Sequence, residues 1–156
     1  MSTEALGTYL NDHLAGSVAA VEMVDRAIED NAGTPLASAL AEMVAAIRED
    51  QEVLRGVLER LKVAESPLKQ AGAWLAEKAG RLKLGDTSEE ALHRLEMLEA
   101  LSLGIQGKLA LWRALQRVAA RHPALAGLDL GALERRAREQ HERVEAHRIE
   151  AAIQAL

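Results

Sequence analysis

The sequence predicts an all-α fold, a bundle of four long helices, and three observations predict it. Apolar residues recur at alternating three- and four-residue steps through most of the chain, the rhythm of a helix with one buried stripe. Pro35, Pro67 and Pro123, the only prolines, each stand where one such pattern stops and another begins. Proline lacks an amide donor and clashes with the preceding turn, so it punctuates helices. Alanine and leucine dominate, phenylalanine is absent, and Tyr9, Trp74 and Trp112 are the only aromatics, which leaves little of the β-branched and aromatic weight of strands. At 156 residues, the chain is expected to form a single domain over 1–156 with a substantial core.

The first helix is expected over about 3–30, with Leu10, Leu14, Ser17, Val21, Val24 and Ile28 on its seam. Asn31-Ala-Gly33 breaks it, and Thr34-Pro35 supplies a cap and a first helical residue for the second helix, about 35–64. That helix carries Leu36, Leu40, Met43, Ile47, Asp50, Leu54, Val57 and Leu61 in the same rhythm. So short a link makes these two helices antiparallel neighbours. Ser66-Pro67 opens a shorter connector helix, about 67–83, and Gly85-Asp86 ends the connector. Thr87 and Glu90 have the spacing of a capping box for the third helix, about 88–121. Asp129 caps the last, about 130–155, whose seam is Leu130, Leu133, Ala137, Gln140, Val144, His147 and Ala151.

Charge and composition exclude several functions. The formal net charge is −5, concentrated in residues 1–33, while the connector at 66–87 is basic. Arg135, Arg138 and Arg143 of the last helix lie four residues from acids, as in Glu134–Arg138 and Arg135–Glu139, so they are expected to pair along a solvated face. With no basic stripe, no nucleic-acid partner is expected, because that affinity comes from neutralising phosphates. No apolar run reaches the roughly 20 residues of a membrane span. The N-terminus lacks signal-peptide features, and cysteine is absent, so a cytoplasmic protein without a membrane partner is expected.

A partly helical connection of about twenty residues can return along the bundle at roughly 1.5 Å per helical residue, leaving the second and third helices parallel. In this order of two helices, a long return and two more helices, the whole chain resembles the ferritin-like superfamily. The resemblance implies a metal centre at mid-bundle, with a Glu from each of two helices and a Glu-x-x-His from each of the others. The chain has one Glu-x-x-His, Glu90 to His93, at the start of the third helix, where Glu90 already serves the capping box. Val53 and Arg143 occupy the positions three after Asp50 and Gln140, where a His would stand. Carried over on seam positions, the resemblance proposes Asp50 and Glu99 as carboxylate ligands and His13 and His147 as imidazoles, for iron or another transition metal.

The other reading of those seam residues is a hydrogen-bonded polar layer of Asp50, Ser17, His13 and Gln140, with Ser102 and Gln106 near its level, that fixes helix register. If Asp50 only sets register, Asp50→Leu should melt at an equal or higher temperature; if packing depends on the network, the variant should collapse. A His13–Asp50 pair would raise the histidine pKa, and burial would lower it. Gly104 and Gly107 suggest close approach of another backbone, Trp112 suggests core, and His141 and His122 suggest solvent. Between Met97 and Trp112 the third helix is apolar nearly all round, so it needs cover from the connector or a second subunit. The leading functional expectation is therefore a non-catalytic interaction or scaffold module with no cofactor, forming a homodimer through the third helix. The alternative is a divergent metal- or small-molecule-binding protein, an oxidoreductase among them, using the interior polar layer.

Overall fold

A computed structural model describes residues 3–66 and 87–156. Within them four α-helices account for most of the chain: α1 (Thr3–Asp30), α2 (Pro35–Leu61), α3 (Thr87–Val118) and α4 (Leu130–Ala155). No strand occurs among the described residues. None of these helices is long and apolar enough to cross a membrane. The connector helix expected over 67–83 and the side chain of Thr87 lie outside the described residues.

The helix boundaries follow from local chemistry. Thr34 is extended, and its hydroxyl accepts from Ala37 N, satisfying one of the free amides of the first turn of α2. Asp129 does the same for Ala132 N at the start of α4. α2 stops at Leu61 rather than about 64, because Lys62 takes a left-handed conformation (φ 57°) and turns the chain out. α3 stops at Val118 rather than about 121, and short 3₁₀ turns at Ala119–Arg121 and Pro123–Leu125 lead to α4. After α2, the chain is tied across α1 by Asn11, which donates to Ala64 O (3.1 Å) and accepts from Ser66 N (3.0 Å). Gly7 permits that crossing, since a Cβ there would sit 2.9 Å from the methyls of Val63.

The apolar stripes meet in two clusters. One joins Val24 and Ala27 near the end of α1 and Leu40 and Val44 early in α2 with Leu98 and Leu101 in the first half of α3, and Val144 and Ala151 late in α4. The other joins Leu6 and Leu10 with Leu54 and Leu58, Leu111 and Trp112, and Leu130 and Ala137. So α1 and α4 begin at one end of the bundle, and α2 and α3 begin at the other. Each buried leucine contributes roughly 1.5–3 kcal/mol relative to exposure. The apolar girth of α3 is covered within the chain: Leu98, Leu101, Ile105, Leu109, Leu111 and Trp112 are all buried. Leu103, with 59% exposure, is the exception among the large apolar residues of that stretch. Where α2 faces α4, by contrast, two ion pairs link the helices: Arg143 to Glu42 at 2.7 Å and Arg136 to Glu49 at 2.9 Å.

Candidate functional site

Asp50 lies between the two apolar clusters, 3% exposed, because the seam of α2 turns it inward. A buried carboxylate must be paired, and two cations meet it. Lys108 of α3 donates to Oδ2 at 2.7 Å, and Arg136 of α4 donates to Oδ1. Lys108 also donates to Oε1 of Gln140, one helical turn beyond Arg136. Burial pulls the Lys108 pKa below the usual lysine value; the Asp50 carboxylate opposes that, and Arg136 reinforces it. A polar layer thus ties α2, α3 and α4 at one level, and sliding any of them would strand a charge among leucines.

A resident metal does not fit these residues. Its proposed ligand Asp50 is already neutralised, and Lys108 and Arg136 would repel a dication placed there. Among the described residues no group of three or more His, Asp or Glu side chains is placed to hold a metal ion. Of the four ligands implied by the resemblance, His13 and Asp50 line one cavity. Glu99 instead sits on the surface, 57% exposed, with Arg148 at 3.9 Å. His147 lines a separate cleft with Asn31, Thr34 and Glu150 at the far end. Of the pair at the start of α3, Glu90 is exposed and His93 stands 4.0 Å from Glu96.

The cavity shared by His13 and Asp50 has a volume of about 500 Å3 and is walled by α1, α2 and α3. Tyr9, His13, Gly16 and Ala20 form one side, and Gly104 and Gly107 form the other. Their spacing suggested a neighbouring backbone, but among the described residues a Cβ built at Gly16, Gly104 or Gly107 meets nothing within 4 Å, so there they leave space rather than close it. Asp50, Lys108, Gln51 and Trp112 also line the cavity. The side-chain nitrogens of Gln51 and Trp112 are buried without a hydrogen-bond partner among the described residues. His13 packs edge-on against Tyr9 with ring centres 4.7 Å apart. Burial holds its pKa below the ordinary value, and the carboxylate that opposes this is Asp12, not Asp50.

A second polar cluster joins α3 to α4. Ser102, 6% exposed, lies 3.1 Å from His141 Nε2, and Gln106 Nε2 lies 3.0 Å from the same atom. His141 is therefore half-buried rather than left to solvent. A nucleophilic serine gives its proton to the histidine, but Ser102 donates to Glu145 Oε1 at 2.6 Å. Hydrogen bonds from Arg148 and then Ser102 hold the Glu145 pKa down to about 2. A depressed carboxylate stabilises the fold above its ordinary pKa, and that support is lost as pH falls through the folded value. Wild-type stability should thus fall between pH 4.5 and about 2 partly through Glu145. In Glu145→Gln, acid titration of the melting temperature should show a shallower decline across that window.

Sequence reasoning did not single out Lys108, Arg136, Gln51 or Asn11. Arg143 was expected to pair along α4, yet it and Arg136 reach across to α2, while Glu134–Arg138 does form at 2.7 Å. No signal within one helix distinguishes these two uses of an arginine. Comparison of the chain with protein-family models, curated proteins and solved structures gives no match.

Proposed function

We propose that this chain is a ferritin-like bundle that binds without catalysing, an interaction module whose working surface is the groove between α1 and α3. The order of helix ends supports the ferritin-like reading: α2 and α3 start at the same end of the bundle and so run parallel. The observation that carries the functional reading is the use of the interior charges. Asp50, the one buried carboxylate among the described residues, is consumed by Lys108 and Arg136 rather than left for metal or acid–base chemistry. What stays open is a cavity whose walls are kept low by glycine.

The partner face for a second copy is proposed separately from the groove. The exposed large apolar residues of α3 are Leu92 and Leu103, whereas α4 exposes Ile149 and Ile153 with Leu156 just beyond its end, spaced to share one face. One preparation made without chelator tests both statements. Elemental analysis should find no stoichiometric transition metal, and light scattering should find a dimer. Stoichiometric metal lost in His13→Ala or Asp50→Ala would overturn the non-catalytic reading, and a monomer at every concentration would remove the homodimer.

A further inference from the structure

We propose that the cavity between α1, α2 and α3 binds an apolar molecule carrying one carboxylate, with the carboxylate at Gln51, Lys108 and Trp112 and the apolar body along the glycine-lined walls. This rests on the reading of that groove as the working surface. The first support is an imbalance of hydrogen-bonding groups at mid-bundle. Gln51 is 5% exposed and Trp112 fully buried; both line the cavity, and the nitrogens left without partners on them are donors. The unpartnered atoms of the adjoining layer, Arg136 Nε and Gln140 Nε2, are donors as well. An unmade buried hydrogen bond costs about 1–3 kcal/mol, so a site short of acceptors favours a ligand that brings them.

Charge points the same way. The buried layer sets one carboxylate, Asp50, against two cations, Lys108 and Arg136. Arg136 meets Glu49 at the surface, where that acid is 69% exposed and screened by water. Lys108 has three donors, and Asp50 and Gln140 take two of them. A single negative charge completes the count. A dianion such as a phosphate monoester does not suit the site, because Asp50 and Asp12 also line it and Lys108 is its sole lining cation among the described residues.

The walls define the rest of the ligand. Glycine within a helix costs about 1 kcal/mol relative to alanine, and Gly16, Gly104 and Gly107 return no close packing among the described residues for that cost. What they return is room, bounded by Leu54, Leu101, Leu111 and Tyr9. A volume of about 500 Å3 lies within the range of small-molecule sites and accommodates a medium-length acyl chain or a small ring system.

The test is calorimetric titration of the full chain with decanoate, decanol and decylammonium, each below its aggregation concentration. Decanoate is expected to bind one to one and at least tenfold more tightly than decanol, with decylammonium weaker still. Gln51→Leu and Trp112→Phe, each checked for native helicity, should weaken decanoate at least fivefold and leave decanol within twofold. Gly104→Leu should abolish both. Equal binding of decanoate and decanol, both lost in Gly104→Leu, would overturn the carboxylate assignment while keeping the groove. Binding that survives Gly104→Leu, or no binding of any probe, would overturn the site itself. A preference for decanoate that persists in Gln51→Leu would overturn the assigned contacts, whatever the stability of the Trp112 variant.

Discussion

Replacing Asp50 by leucine is expected to destabilise the protein by about 3–5 kcal/mol, the cost of leaving the buried Lys108 cation without its counterion. The opposite outcome follows if Asp50 merely sets register, and the structure supplies the reason for the change. Lys108 and Arg136 both converge on this carboxylate, so its loss leaves two like charges at one level. Burial already lowers the Lys108 pKa, and Asp50 is what raises it, so the variant should lower it further. A lysine whose folded pKa lies below its unfolded one is released from its penalty as pH rises through that window, because the unfolded state then binds more protons. Asp50→Leu should accordingly recover stability toward alkaline pH in urea titrations. The triple variant Asp50→Leu, Lys108→Met, Arg136→Met should return to within about 1 kcal/mol of wild type or exceed it, since a whole buried ion set can be replaced by apolar groups. An unchanged midpoint for Asp50→Leu alone would show that the layer carries no weight in the fold.

Trp112→Ala is expected to cost a similar amount, about 3–5 kcal/mol, because the ring is fully buried among Leu10, Leu58 and Leu115 in one apolar cluster. For a domain of this size that corresponds to a fall in melting temperature of roughly 10 °C. Trp112→Phe should cost less than half as much. It keeps an aromatic core residue and removes a buried N–H that has no acceptor among the described residues. Thermal and urea unfolding of the two variants side by side would check this, and a loss below about 1 kcal/mol for Trp112→Ala would mean the ring is not a structural centre.

The helices themselves are legible in the sequence because their causes are local. Thr34, Pro35 and Asp129 mark starts within a few residues of where they act, and a stripe such as Leu40, Met43, Ile47 and Leu54 names its own buried face. Asp50 is visible as a polar residue on that stripe. Its partners are not, because they stand 58 and 86 residues away and reach it on long, flexible stems. The position of a lysine or arginine on a helical wheel does not say where its charge ends up. The same limit misplaces Glu99 and His147: both occupy plausible turns, but a small rotation of each helix carries them to different surfaces. Gly104 and Gly107 signal a small-residue face, whereas filled and empty space opposite that face look identical in a sequence.

The wall between α2 and α4 has a consequence of its own. Glu42 and Glu49 are seven residues apart, as are Arg136 and Arg143, so the two ion pairs form successive rungs of an antiparallel ladder. These rungs are largely bathed in water, and at 1 M salt the Debye length shrinks to about 3 Å. Ionic strength should therefore act on this protein as a wedge, prising at one seam while the oily ones tighten. Deuterium uptake along outward-facing amides of α2 and α4 would rise in brine ahead of any other helix pair.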